Sequence, residues 1–139
     1  MEAATACYDC PVASKGRPYR TFVVDGFEIL VGRGEADNDH LTFDVAAPGD
    51  LWLHVAGGTP GSHVVVRNPG RGDVPAHVVE VAEAAAAWYS KARGAPRVEV
   101  HLCHARDVHK PRGAPAGLVE LARHKRIKVT PATPATPMT

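Results

Sequence analysis

Asp50-Leu51-Trp52-Leu53-His54-Val55 sets a carboxylate, an indole and an imidazole at every second position. Successive side chains of a strand point to opposite faces. Leu51, Leu53 and Val55 therefore share a core face, and Asp50, Trp52 and His54 share the other. If that second face is open, Trp52 offers a stacking surface and His54 a polar contact, as in sheets that bind single strands and RNA. If it is covered, Trp52 packs under a helix and His54 is a hydrogen-bonded structural histidine. Pro60-Gly61-Ser62-His63 follows, joining a glycine turn to a hydroxyl and a titratable ring. Consecutive N–H groups in such a turn can form an anion-binding nest. The plainer alternative is a tight turn in which Gly61 supplies a positive φ. His109-Lys110-Pro111-Arg112-Gly113 has two cations, a glycine and no acid. That is the composition of a phosphate clamp, with a point charge from Lys110 and a bidentate fork from Arg112, or of a solvated basic loop. Lys91 and Arg93 extend the same basic surface, while Trp88 beside them is assigned to the core.

Other chemistries find less support. No P-loop, dinucleotide fingerprint, HExxH or GxSxG is present. Cys7-x-x-Cys10 has the spacing of half a zinc knuckle, and Cys103-His104 would complete four ligands. Cys7 and Cys10 lie in a stretch without a core pattern, so neither a metal nor a cofactor is expected. Asp50, Ser62 and His63 have the residue types of a hydrolytic set, but adjacent Ser and His side chains on a strand point apart. No catalytic residue is expected. The enzymatic alternative is a small RNA-processing or RNA-modifying enzyme, or a subunit of one, acting through His54, Ser62 and His63. A third class is a protein-docking adaptor for an acidic surface.

The elements that must hold these residues follow from patterning. Apolar runs at 19–24 and 27–31 flank Asp25-Gly26, a strong hairpin signal. Residues 32–45, with an N-cap-like Asp37 or Asn38, predict a short helix or turn leading into a strand. Residues 51–55 and 63–67 read as strands joined by a glycine-rich turn. Residues 78–93 form the clearest helix, with alanines at 84–87 and a stop at Gly94 and Pro96. Residues 98–102, 118–121 and 127–129 read as further strands. The fold class is α+β: a mostly antiparallel sheet with one long helix and short flanking helices. Residues 1–16 are expected to form a flexible leader, 17–129 the domain, and 130–139 an extended Pro/Thr tail.

The chain has 139 residues, 45% of them apolar and 22% charged, which is a globular composition. No run approaches the ~18 apolar residues of a membrane span, and the N-terminus lacks a secretory pattern. A cytoplasmic location without membrane contact is expected, and three cysteines there do not suggest a disulfide framework. The net charge of +1 conceals an asymmetry: −6 over residues 1–87 and +7 over residues 88–139. Such a basic half suits a polyanion partner or a solvated face.

The order of motifs also carries a resemblance. GFEILVGR at 26–33, Asn38-Asp39, LTF at 41–43, DLWLHV at 50–55 and PGSHVVVR at 60–67 appear in sequence. A Trp-Tyr-Ser-Lys-Ala-Arg run ending at Arg93 and Lys110-Pro111-Arg112-Gly113 complete them. Together they resemble the NFACT-R domain, the RNA-binding module of NFACT proteins, which act on stalled large ribosomal subunits. The resemblance implies an RNA partner, tRNA or rRNA, in ribosome quality control or in RNA modification such as tRNA thiolation. It also implies contact with the large ribosomal subunit or an RNA-modification enzyme. The other domains of full-length NFACT proteins have no counterpart here, so a stand-alone version is expected. The RNA-binding residues expected on this basis are Asp50, Trp52, His54, Gly61, Ser62, His63, Arg67, Lys91, Arg93, Lys110 and Arg112. Arg67, Lys91, Arg93, Lys110 and Arg112 would meet phosphates, with Trp52 and His54 lining the same cleft.

Overall fold

The structure, a computed structural model, describes residues 19–56, 59–70, 72–116 and 118–133. The Asp-Gly signal forms the first hairpin. Strands β1 (Tyr19–Val24) and β2 (Phe27–Gly32) pair antiparallel across Asp25 and Gly26. Both turn residues have positive φ, 53° and 83°, as a tight two-residue hairpin turn requires. Helix α1 (Glu35–His40) follows and runs into a π-helical turn at Leu41–Val45. Its N-cap is Gly34, not Asp37 or Asn38.

Strands β3 (Leu51–Val55) and β4 (Val64–Val66) precede the long helix α2 (Ala76–Trp88). Then come β5 (Val98–His104), a 3₁₀ turn at Ala105–Asp107, β6 (Val108–His109), β7 (Glu120–Leu121) and β8 (Lys125–Val129). The main sheet has the order β1-β2-β4-β3-β5-β8, every neighbouring pair is antiparallel, and β6 and β7 form a separate ribbon. The fold is therefore α+β with an antiparallel sheet.

Helix α2 stops five residues before the sequence pattern predicts, because tertiary pairing captures its end. The Ser62 N–H donates to the Tyr89 carbonyl (2.8 Å) and the Lys91 N–H to that of Pro60 (2.9 Å). Those residues leave the helical ladder to form a bridge with the loop before β4.

The sheet is covered on both faces. Under α2 lie Phe22, Val24, Ile29, Val31, Leu53, Val55, Val64, Val66, Val98 and Val100, packed against Val78, Ala82, Ala86 and Ala87 of the helix. Small alanines let the helix sit close to the sheet. On the opposite face Tyr19, Leu30, Leu41, Trp52, Val65, Cys103 and Val108 form a second cluster, drawn from the sheet, the start of the π-helical turn and the β6–β7 ribbon. Val64, Val65 and Val66 are fully buried, as expected for a strand covered on both sides. Residues 1–16, and with them Cys7 and Cys10, lie outside the described residues, as does 134–139. At the start of the predicted tail, the Ala132 N–H bonds the Ala84 carbonyl on α2 (3.1 Å). No helix among the described residues is long and apolar enough to cross a membrane.

Candidate nucleic-acid interface

Strand alternation places Trp52 and His54 on the face opposite Leu53 and Val55, as the sequence predicts, but that face is not an open platform. Trp52 is 1% exposed. Its Nε1 donates to Thr42 Oγ1 (3.0 Å), and the same oxygen lies 2.8 Å from His63 Nδ1. Thr42 belongs to the π-helical turn, so the turn that sequence patterning leaves vague is the lid over the indole. His63 is buried with Trp52, their ring centroids 4.9 Å apart edge-on. Asp50 is buried too. It accepts from the N–H groups of Ala47 (2.9 Å) and Asn68 (2.7 Å) and pairs with Arg67 at 2.6 Å. Asp50, Trp52 and His63 thus position other groups, and Arg67, just after β4, is held beside Asp50 at the start of β3.

Lys110 is also engaged. Its Nζ bonds Asp39 Oδ2 on α1 (2.8 Å) and the Pro115 carbonyl (2.5 Å). It ties the 110–116 segment to α1, and its charge is already balanced. Arg112 stands exposed on the turn closed by Gly113, whose φ is 76°.

Gly61 is required for a reason other than the expected one. Its φ is not positive. A Cβ there would lie 2.9 Å from Ser90 Cβ and 3.0 Å from Val55 Cγ1. The glycine lets the loop press against the end of α2. The Ser62 N–H is taken by Tyr89, so it does not contribute to an anion nest.

Asn38, which sequence reasoning does not single out as a site residue, organises this region. It is buried, its Oδ1 accepts from the His63 N–H (3.1 Å), and its Nδ2 donates to the Gly61 carbonyl (3.3 Å). It lies over Gly32, where a Cβ would come within 2.0 Å of its oxygen. Asn38, Glu35, Pro60 and Gly61 form a wall shared by two grooves.

The first groove, about 620 Å³, gathers Arg20, Arg33, Lys91 and Arg93 around Ser62, Trp88 and Tyr89. Glu35 is its one acid. The Arg20 guanidinium sits 4.7 Å over the Tyr89 ring and that of Arg93 sits 5.0 Å over Trp88, which fixes the orientation of both cations. Trp88 is half-buried at this groove rather than part of either core cluster. Arg20 and Arg33 come from the acidic half of the sequence. The hairpin register pairs Tyr19 with Gly32 and Arg20 with Val31, so it brings both arginines to one end. That signal is present in the sequence, since an Asp25-Gly26 turn fixes the register.

The second groove, about 580 Å³, lies beyond the wall and is floored by His54, His101 and His124. His54 faces His101 across β3 and β5, and the His101 and His124 rings are 4.3 Å apart. Burial holds His54 below its ordinary pKa, opposed by a hydrogen bond to the Gly61 backbone. Burial, followed by neighbouring His124 and Arg126, does the same to His101. Cys103 is buried beside Trp52, and burial pushes its thiol up to about 12. It stays protonated at neutral pH. Ser62 lines the first groove and His63 is buried among Trp52, His54 and Thr42, so the two do not form a nucleophile–base pair.

The fold is a layered antiparallel α+β domain with a cation-lined recess beside an imidazole-lined one. The chain belongs to the family described as the NFACT protein RNA binding domain, whose model matches residues 17–121. It is 39% identical over 121 residues to the Rqc2 homolog RqcH of Streptococcus suis (strain 05ZYH33), a match covering 86% of this chain and 21% of that protein. It is 39% identical over 106 residues to the Rqc2 homolog RqcH of Bacillus subtilis (strain 168), covering 76% of this chain and 18% of that protein. The chain thus spans about a fifth of the length of these curated relatives. Among solved structures it is similar to the C-terminal part of the fibronectin/fibrinogen-binding protein of Streptococcus suis. There the TM-score is 0.76 at 39% identity, covering 85% of this chain and 47% of that one.

Proposed function

We propose that this chain is an RNA-binding module of ribosome quality control that grips a phosphate backbone in the groove of Arg20, Arg33, Lys91 and Arg93. The observation that carries this reading is the convergence of those four cations from β1, the end of β2 and the segment after α2 into one recess. Arg67 and Lys110, by contrast, are paired with Asp50 and Asp39. Arginine forks suit phosphate oxygens, and stacking on aromatic faces reduces the cost of ordering them. Membership of an RNA-binding domain family and likeness to Rqc2 homologs support the same reading. The RNA is a tRNA or an rRNA segment met on the large ribosomal subunit. Gly61 and Ser62 line the groove, and Arg112 is a peripheral contact on the neighbouring turn. Asp50, Trp52, His63 and Lys110 act by holding the walls in place. Titration of a fluorescent single-stranded RNA tests the assignment. Lys91→Ala/Arg93→Ala should weaken binding by roughly tenfold or more at low salt, whereas Lys110→Ala should leave it within about threefold. Equal losses in the two variants would place the phosphate contact elsewhere.

A further inference from the structure

Resting on that reading, we propose that the groove floored by His54, His101 and His124 takes an unpaired nucleobase of the same RNA. The substrate class of the domain is then a single-stranded or looped segment, not a continuous duplex. The two grooves share a wall. Glu35, Asn38, Pro60 and Gly61 border both grooves, so a chain whose phosphates lie among the arginines passes the histidine groove with its next base. The groove holds about 580 Å³, within the roughly 300–1,000 Å³ range of small-ligand sites. That is enough for a base and too little for a base-paired helix.

The lining is chemically suited to a base. Three imidazoles line it, and Trp52 stacks behind His54 with centroids 5.9 Å apart. Val55, Val119 and Leu121 add apolar lining, together with the exposed Leu118. Flat rings and apolar walls favour the face of a base, while ring nitrogens can meet its edge. Burial favours the neutral form of His54 and His101, and a neutral imidazole carries one donor and one acceptor. The phosphate charge is left to the cationic groove. A metal is a poor alternative: among the described residues no group of three His, Cys, Asp or Glu is placed to hold one.

The test compares a short single-stranded RNA with the same strand carrying abasic residues, and with its duplex. Wild-type protein should prefer the base-bearing single strand over the abasic one by roughly 5- to 150-fold, the range of one base stacked on a ring. It should also prefer that strand over the duplex. His101 is half-buried and His124 exposed, so His101→Ala/His124→Ala should fold, which a melting curve verifies. In that variant the preference for the base-bearing strand should collapse towards unity. Lys91→Ala/Arg93→Ala should instead weaken base-bearing and abasic strands alike. Equal wild-type affinity for base-bearing and abasic strands, or a preference for duplex, overturns the base site and leaves the phosphate groove standing. Binding to none of the three RNAs overturns both.

Discussion

Trp52 shows how one residue's surroundings decide its role. Its indole lies in the cluster of Leu41, Val65 and Cys103, and its N–H is satisfied by Thr42. Removing it opens a cavity and strands the Thr42–His63 contact. Trp52→Ala should cost about 3–5 kcal/mol of stability, read as a lowered urea midpoint. A near-wild-type midpoint would mean the indole is not core. His54 and His101 carry a second consequence. Both are held below the ordinary value of 6.5, chiefly by burial. The groups that meet His54 are the Gly61 and Val55 backbone, His101, His63 and Trp52, and those that meet His101 are His54, His124, Arg126 and Glu99. With a folded pKa below the unfolded one, the unfolded chain binds more protons, so stability falls as pH drops below about 6.5 and is fully present above it. Unfolding midpoints measured from pH 7.5 down to 5 should decline more steeply in wild type than in His54→Asn. Parallel declines would show that His54 does not take part.

At the scale of elements, ties between segments shape the interface. Asp50 closes the turn before β3 through Ala47, reaches Asn68 beyond β4, and holds Arg67. Arg67→Ala removes one partner from a buried carboxylate. It should cost about 1–3 kcal/mol in urea unfolding while leaving the salt dependence of RNA binding unchanged; a flattened salt slope at unaltered stability would instead make Arg67 a phosphate contact. Much of this level is legible in the sequence. Asp25-Gly26 announces the hairpin, and alternation from Leu51 to Val55 assigns the two faces of β3 correctly. The alanines of α2 announce the helix. What is not legible is long-range. The π-helical turn that covers Trp52 has no periodic signature. The end of α2 is set by bonds to Pro60 and Ser62 in another loop. Gly61 is required by Ser90, 29 positions further on, and not by its own φ. Local propensity carries no information about such contacts.

At the scale of the whole molecule, charge is arranged by topology more than by sequence position. The basic half supplies Lys91 and Arg93, but the hairpin delivers Arg20 and Arg33 from the acidic half to the same recess. Lys110, in the basic half, is neutralised by Asp39. Arg67 and Lys110, expected from the sequence to meet phosphates, are paired with acids, while Arg20 and Arg33 converge on the recess. The salt dependence of single-stranded RNA binding tests the phosphate groove directly. With four cations meeting phosphates, log affinity should fall against log salt with a slope near −3, at about −0.7 per contact. Lys91→Ala/Arg93→Ala should bring it to about −1.5, and Lys110→Ala should leave it near −3. A wild-type slope near zero, or one that the Lys91→Ala/Arg93→Ala variant shares, would mean that these cations do not carry the phosphate contact.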